Sequence, residues 1–339
     1  MQNDKIIKIE KEEMINDKFQ HLINTYDDVQ EKNVEWIWYP YIPKGKFVFI
    51  IGDPGSGKTF FATYLASVIS RGTMFYNSTE TNEESIVLLQ NGEDGKEDTI
   101  KNRLKILNAK YENILYLDET EKLITLKDID IIKELLVSKK PSMMIFDPAT
   151  LYVGKKVDMN SANDVRSLLN PLVPILEEYQ CTMVLVLHMN KGANKAMYKA
   201  LGSIDFMAIA RSVIMITNNP NASKERLLIH VKSSLAEKGD TLAFTIGDKG
   251  IEWLGVREIN EDAIEEDTVF KKDQAKEFIL SYLSKGDVPS DELMSAGLET
   301  GFSQKTFENA RKELRNENKI TCFKGVDKYY WKLQDDYPF

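Results

Sequence analysis

The segment FVFIIGDPGSGKT, residues 47–59, is the most informative part of the sequence. Its first five residues are apolar and predict a short buried strand. The loop that follows matches the pattern GxxxxGK[ST], and the apolar periodicity of TFFATYLASVI after it predicts a helix. A strand, this glycine-rich loop and a helix in this order form a phosphate-binding loop. We therefore expect a nucleoside triphosphate to bind at the end of this strand.

The residues of this loop have separate roles in binding ATP. Glycines let backbone N–H groups face phosphate oxygens without a Cβ in the way, and the helix that follows adds its positive end. Lys58 is expected to reach the β- and γ-phosphates, and Thr59 is expected to ligate Mg²⁺. The predicted nucleotide-binding residues are Gly52, Asp53, Pro54, Gly55, Ser56, Gly57, Lys58, Thr59 and Phe60.

Apolar segments separated by helical ones continue after this loop. Further strands are predicted at SIVLLQ, NILYL, SMMIFD and TMVLVL, and helices at 58–70, 96–108, 126–139 and 162–179. Continuous apolar strands that alternate with helices indicate a parallel sheet covered on both faces. RSVIMIT, RLLIHVK, LAFTI and IEWLG predict four more strands that extend the sheet. The fold class is therefore α/β, with a mostly parallel central sheet.

Three polar residues follow strands of this predicted sheet, at the edge where ligands bind. Asp147 ends SMMIFD and is predicted to hold Mg²⁺ with Thr59, although an Asp-Pro turn that merely ends the strand is an alternative. Glu93 is predicted to be the base that orients the attacking water. The alternatives are its neighbour Asp94 and a solvated acidic loop. His188 ends TMVLVLH at the same edge, where it can contact a phosphate, although a hydrogen-bonded structural histidine is the alternative.

Arg211, in the segment LGSIDFMAIARSV, has two interpretations that its spacing does not separate. It could pair with a carboxylate inside its own domain. It could also reach the phosphate of a neighbouring subunit, because an arginine supplied by another subunit stabilises the transition state of phosphoryl transfer.

The chain is expected to contain an ATPase domain and a smaller C-terminal module. The aromatic lead-in VEWIWYPYIPKG is predicted to pack on the core of the ATPase domain rather than to stack on a base. Two short helical segments, the helix SQKTFENARKELRNEN with Ser303 as its cap, and the hairpin KITCFKGVDKYYWKL predict a winged helix. The predicted segments are an N-terminal arm (1–33), the ATPase domain (34–255), an acidic linker (256–269), the winged-helix module (270–334) and a tail (335–339).

Composition narrows the classes of protein that this chain can belong to. The 339 residues carry a formal net charge of −9, which excludes a uniformly basic nucleic-acid coat but not local basic patches. No apolar run approaches the length of a membrane span, and the charged N-terminus does not resemble a signal peptide. Two distant cysteines, Cys181 and Cys322, lack metal-ligand spacing and favour a reduced, cytoplasmic protein.

Several of these motifs together resemble the RecA-like ATPases of the plasmid RepA helicase type, which are relatives of the ring-shaped DnaB-type replicative helicases. The motifs are WIWYPYIPKGKFVFIIGDPGSGKT, NGEDGKEDTIKNRL, IFDP, LHMNKG and ALGSIDFMAIARSV, and the resemblance covers roughly residues 34–255. It implies that Glu93 is the catalytic carboxylate, that His188 senses the γ-phosphate and that Arg211 acts between subunits. It also implies a hexamer around single-stranded DNA. The C-terminal module is similar instead to winged helices of phage and plasmid replication proteins.

Two loops and one helix carry the predicted DNA contacts. Lysines near a nucleic-acid backbone give binding that is independent of sequence and sensitive to salt. The third helix of a winged helix enters the major groove, although such modules also bind protein. The predicted contacts are Lys155, Lys156, Lys191, Lys195 and Lys199 in the loops, and Arg311, Lys312 and Arg315 on the helix. For the lysines, solvated charged loops are the alternative.

The sequence therefore predicts an ATP-driven DNA motor, most simply a helicase of a phage, plasmid or other mobile element. A single-strand recombination or annealing ATPase and a regulatory DNA-binding ATPase remain alternatives. The tail, Asp335 to Phe339, resembles the acidic tip of bacterial single-stranded DNA-binding protein. This resemblance implies that host proteins which read that tip are partners, whereas a frayed acidic terminus is the other interpretation.

Overall fold

The computed structural model describes residues 22–154, 157–159, 161–188, 204–219, 222, 224–258, 274–325 and 327–334. The chain divides into two compact units, Met1–Glu35 and Trp36–Phe339. In the first unit, the described residues contain one short 3-10 helix, Tyr26–Asp28, with no buried side chain. The rest of the predicted arm, residues 1–21, lies outside the described residues.

The main unit begins with a small hairpin that packs on the core. β1 (Trp36–Trp38) pairs antiparallel with β2 (Ile42–Pro43). Trp38 is buried and stacks on Phe75, with ring centroids 5.0 Å apart. This contact confirms the prediction that the aromatic lead-in packs on the core.

A nine-stranded sheet forms the centre of this unit, counted over the described residues. In chain order its strands are β3 (Phe47–Gly52), β4 (Val87–Asn91), β5 (Ile114–Leu115), β6 (Met143–Asp147), β7 (Thr182–His188), β8 (Ser212–Asn218), β9 (Arg226–Ser233), β10 (Leu242–Gly247) and β11 (Gly250–Val256). Across the sheet they lie in the order β11-β10-β9-β8-β3-β7-β6-β4-β5. The six strands from β8 to β5 pair in parallel, and β9 to β11 extend the sheet in antiparallel pairs.

Helices cover both faces of the parallel part. Alternate residues of β3 point to opposite faces, so Phe49 joins one apolar core and Ile50 joins the other. The helices are α1 (Lys58–Arg71), α2 (Lys101–Ile106), α3 (Ile129–Lys139), α4 (Ala149–Tyr152), α5 (Ala162–Leu169), α6 (Leu172–Glu178) and α7 (Ile204–Ile209). The predicted α/β class with a mostly parallel central sheet is confirmed.

The predicted strands are all present, while two of the predicted helices differ. The segment 96–108 begins with a π-helical turn, Lys96–Ile100, and continues as α2. The segment 162–179 is interrupted between α5 and α6. Pro171 causes this break because its nitrogen has no hydrogen to donate to the preceding turn.

Residues 274–334 form a compact module with its own apolar core, which includes Ile279, Leu293 and Phe307. Its described elements are α8 (274–283), β12 (Val288–Pro289), α9 (Ser290–Glu299), α10 (Gln304–Asn316), β13 (Ile320–Lys324) and β14 (Tyr329–Leu333). Ser303 caps α10, since its hydroxyl accepts a hydrogen bond from the Thr306 amide at 3.1 Å. The predicted three helices and hairpin are therefore present, and β12 adds a third strand to the hairpin.

Most of the predicted linker and the predicted tail lie outside the described residues. Within the described parts of the chain, no helix is both long enough and apolar enough to cross a membrane. Cys181 and Cys322 are free thiols.

Candidate functional site

The glycine-rich loop connects the end of β3 to the beginning of α1. Two of its positions must be glycine, because other strands lie so close that there is no room for a side chain. Gly52 has φ 153°, and a Cβ there would lie 2.1 Å from the backbone oxygen of Ile216 on β8. Gly57 has φ 100°, and a Cβ there would lie 2.9 Å from Ile246 and 3.0 Å from Arg226. Both conformations are rarely available to other residues. The loop backbone is thus held against the neighbouring strands.

Lys58 is the cation of this loop. Its ammonium group is buried and donates a hydrogen bond to the Asp53 carbonyl oxygen at 2.8 Å. Burial lowers the pKa of Lys58 from its ordinary value, and the carboxylates of Asp147, Asp53 and Glu93 act in the opposite direction. Three carboxylates therefore favour the protonated form of this amine, and the negative charge of a bound triphosphate would favour it further.

Asp147 lies at the carboxyl end of β6, buried and next to Thr59. The Thr59 hydroxyl interacts with its carboxylate, which favours the ionised form of Asp147 and so lowers its pKa. Burial raises the pKa of Asp147; the Thr59 hydrogen bond and the Lys58 charge lower it, and the charges of Glu93 and Asp94 raise it. A hydroxyl and a carboxylate in contact are the two protein ligands expected for Mg²⁺ at a phosphate loop.

Glu93 and His188 meet at the same edge of the sheet. His188 pairs with Gly52 in the register of β3 and β7, and its Nε2 lies 3.6 Å from Glu93 Oε2. The Glu93 side chain is more than half exposed, so its carboxylate can contact water. Asp94, in contrast, accepts a hydrogen bond from Arg103 Nη1 at 2.7 Å. Of the two adjacent acids, Glu93 is therefore the one that contacts His188, beside the phosphate loop.

The residues at this edge fit a bound Mg²⁺-nucleotide. Among the described residues, the buried Ser56 hydroxyl and His188 Nδ1 have no hydrogen-bond partner, as is expected where a substrate completes the bonding of polar groups. No cluster of three or more His, Cys, Asp or Glu side chains that could hold a metal occurs in the described parts of the chain. Mg²⁺ at a phosphate loop needs no such cluster, because substrate phosphates and water supply most of its ligands.

Arg211 lies where the parallel strands begin, at the opposite end of β3 from the phosphate loop. Its amide donates to the carbonyl of Phe47, the first residue of β3, at 3.0 Å. The five residue steps from Phe47 to Gly52 separate the two ends by about 16 Å, at about 3.3 Å per residue. Arg211 lines an open cleft with Lys46 and Glu177, and the Glu177 carboxylate forms its ion pair with Lys46. No carboxylate of the described residues forms an ion pair with Arg211. Arg211 therefore does not reach the phosphate loop of its own chain.

Two residues at the site were not predicted from the sequence. Arg226, the first residue of β9, donates from Nε to the Ser56 carbonyl oxygen at 3.1 Å and so contacts the phosphate loop directly. Asn91, the last residue of β4, contacts both Asp147 and the turn that carries Glu93. Asn91 directly follows the predicted strand SIVLLQ, and this position after a strand is a signal that could have identified it. Arg226 is the first residue of the predicted strand RLLIHVK and carries no comparable signal.

The structure describes only some of the residues that are predicted to contact DNA. Lys155, Lys156, Lys191, Lys195 and Lys199 lie outside the described residues. On α10, Lys312 and Arg315 are exposed. Arg311 instead packs over the Trp331 ring, 4.9 Å from its centroid, and donates from Nη1 to Ser290 at 3.3 Å. Burial lowers the pKa of Arg311, and its guanidinium is engaged inside the module.

The fold and the site define a P-loop ATPase with a mostly parallel central sheet. The sequence profile of a family described as AAA domain (AAA_25) matches residues 14–194, just over half of the chain. The chain belongs to this family.

Solved structures that are similar to this chain include an archaeal protein. Among proteins with curated descriptions, none matches the sequence significantly. The KaiC-like protein PH0186 from the hyperthermophilic archaeon Pyrococcus horikoshii OT3 is similar over 65% of this chain and 99% of its own, with a TM-score of 0.48 and 17% identity. At this level of similarity nothing about function transfers from it.

Proposed function

We propose that this protein is an ATP-driven DNA motor that assembles as a ring and unwinds DNA, as the replicative helicase of a phage, plasmid or other mobile element does. The observation that carries the proposal is the separation of Arg211 from the phosphate loop of its own chain, about 16 Å along β3. In copies arranged head to tail, the arginine at one end of the strands of one copy could contact the phosphate loop at the other end of the strands of the next copy. Such contacts generate a closed ring when the rotation between copies closes.

The proposed chemistry is hydrolysis of the γ-phosphate of ATP. Mg²⁺ held by Thr59 and Asp147 would neutralise charge that develops on the phosphates. Lys58 binds the β- and γ-phosphates, and Glu93 orients the attacking water and accepts its proton. His188, in contact with Glu93, links the state of the γ-phosphate to β7. Arg211 of a neighbouring copy completes the site by stabilising the transition state.

Single-stranded DNA is the proposed track of this motor. The five loop lysines predicted to contact it follow β6 and β7, the strands that carry Asp147 and His188. Loops attached to these strand ends would couple the nucleotide state to the DNA. The tail, Asp335 to Phe339, is proposed to recruit host proteins that read the tip of single-stranded DNA-binding protein. A peptide of residues 331–339 should compete with that tip for a shared partner, and competition should disappear without Phe339.

A displaced-strand assay tests the proposed helicase activity. The full-length protein, ATP and a forked duplex should give strand separation, and Lys58→Ala should give none. Sedimentation with ATP and single-stranded DNA should show an assembly of several copies. If single-stranded DNA stimulates hydrolysis but no strand is displaced, the annealing or recombination ATPase replaces the helicase.

The C-terminal module favours one alternative, a regulatory DNA-binding ATPase. Lys312 and Arg315 are exposed on α10, where a winged helix contacts the major groove. In that case the full-length double variant Lys312→Glu, Arg315→Glu should lose affinity for duplex DNA and keep its ATPase rate on single strands. Equal duplex affinity in wild type and variant would favour a protein-binding module.

A further inference from the structure

Asn91 occupies the point where the proposed catalytic turn and the proposed metal carboxylate meet. It is the last residue of β4 and pairs in register with Asp147 on β6. Its side chain is buried, with 8% of its surface exposed. A buried amide needs partners for both its oxygen and its nitrogen, because an unpaired polar group costs free energy.

The oxygen of this amide holds the turn that carries Glu93. Asn91 Oδ1 accepts hydrogen bonds from the backbone amides of Glu93 at 3.1 Å and of Asp94 at 2.7 Å. An asparagine side chain that accepts from amides two and three residues later fixes the local backbone as a turn. The direction in which Glu93 leaves the sheet edge therefore depends on Asn91.

The nitrogen of the same amide faces Asp147. Asn91 Nδ2 donates to Asp147 Oδ2 at 3.4 Å, a long bond, while the Gly92 amide donates to the Asp147 carbonyl at 3.0 Å. Because Oδ1 is committed to two N–H donors, only Nδ2 is available to the carboxylate. The planar Asn91 side chain thus connects the turn that carries Glu93 to the Asp147 carboxylate.

We infer that Asn91 is a positioning residue for ATP hydrolysis, which sets the place of Glu93 relative to Asp147. The inference rests on the proposed role of Glu93. Catalytic groups that are displaced by about 1 Å can lose about 100-fold in rate while substrate still binds. Loss of the Asn91 amide should therefore lower kcat far more than it raises KM.

Three variants of the full-length protein test this inference. Asn91→Ala removes both contacts and should lower kcat roughly 10- to 100-fold, with the KM for ATP within about threefold of wild type. Asn91→Ser keeps a side-chain oxygen that can accept from an amide of the turn and adds no charge beside Asp147, so it should recover part of the lost kcat. Gln90→Ala is the matched control, because Gln90 is a buried amide on the other face of β4 that bonds to the Leu117 backbone.

Each outcome separates the inference from its alternatives. Gln90→Ala should lower the melting temperature and leave kcat within about threefold, as expected for a buried amide that bonds to the Leu117 backbone and not to the turn of Glu93. A wild-type kcat in Asn91→Ala, beside an inactive Glu93→Gln, would overturn the role of Asn91 and leave that of Glu93. Equal losses of kcat, nucleotide binding and stability in both Asn91 variants would mean a structural role only. Normal hydrolysis in Glu93→Gln would overturn the proposed role of Glu93 and this inference with it.

Discussion

At the scale of single residues, Lys58 is the group on which phosphate binding depends most. It is a buried ammonium that acids surround on the protein side, and a triphosphate would complete its environment. Lys58→Ala should lower steady-state hydrolysis by about 100- to 1000-fold, the usual result of removing one preorganised electrostatic group, and should weaken nucleotide binding. Lys133→Ala, on the exposed side of α3, is the control and should keep the wild-type rate. Near-normal hydrolysis in Lys58→Ala would remove the phosphate loop from the mechanism.

The adjacent acids after β4 give a second prediction at this scale. Glu93→Gln should bind ATP and hydrolyse it at least about 100-fold more slowly, since a general base is lost. Asp94→Asn weakens an ion pair with Arg103 and should have the smaller effect on rate. Single-turnover hydrolysis measured in both variants distinguishes them. The reverse order of effects would assign the base to Asp94.

At the scale of elements, β9 braces the phosphate loop through Arg226. Arg226→Ala removes the hydrogen bond to the Ser56 carbonyl, worth about 1 kcal/mol, so the KM for ATP should rise about fivefold. Arg226→Lys, which keeps a donor, should show a smaller rise. Lys224→Ala changes an exposed neighbour and serves as the control. An unchanged KM in Arg226→Ala would mean that the loop holds its shape without β9.

His230 on the same strand makes this extension of the sheet sensitive to acid. Its Nδ1 accepts from the Gly239 amide at 2.9 Å, and its Nε2 lies 3.0 Å from the Ser212 hydroxyl, which donates to the Tyr41 carbonyl. The ring is thereby held neutral, and burial, with a smaller contribution from the Lys238 charge, lowers the pKa of His230 to about 4. The unfolded chain binds this proton near pH 6.5, well above the pH at which the folded chain binds it.

Stability should therefore fall as the pH decreases from about 6.5 to about 4, because the unfolded state binds more protons in this window. The contribution of His230 to this loss is about 3 kcal/mol over the whole window. Denaturant unfolding at several pH values measures it. His230→Asn should be less stable at pH 7 and should show a flatter dependence on pH than wild type. Parallel pH curves for the two proteins would contradict the assignment.

The elements also show what sequence patterns can and cannot predict. The apolar runs predicted each strand of the sheet, because a buried strand needs little more than continuous apolar residues. The loop motif and the strand ends predicted Lys58 and Asp147, whose positions follow from chain direction in a parallel sheet. Asn91 and Arg226 were missed as site residues because their contacts join β4 to β6 and β9 to the loop. Such contacts depend on strand order, which periodicity does not contain.

At the scale of the whole molecule, Arg211 and the phosphate loop lie at opposite ends of the parallel strands, which fits the proposal that copies share each active site. Arg211 lies level with the beginning of β3, and the phosphate loop follows its end. Arg211→Ala should therefore bind ATP normally and lose hydrolysis, with a wild-type melting temperature. If the variant instead unfolds, the arginine has a structural role within its own chain.

Mixing two inactive variants tests whether the arginine acts between copies. An Arg211→Ala copy keeps an intact phosphate loop, and a neighbouring Lys58→Ala copy can supply the missing arginine. In an equal mixture, roughly a quarter of head-to-tail interfaces combine the two intact halves, so roughly a quarter of the wild-type rate should return. The control replaces Lys58→Ala with the double variant Lys58→Ala, Arg211→Ala, which has neither half and should restore nothing. If both mixtures are equally inactive although sedimentation shows mixed assemblies, Arg211 does not complete the site of its neighbour, and the head-to-tail ring loses its main support.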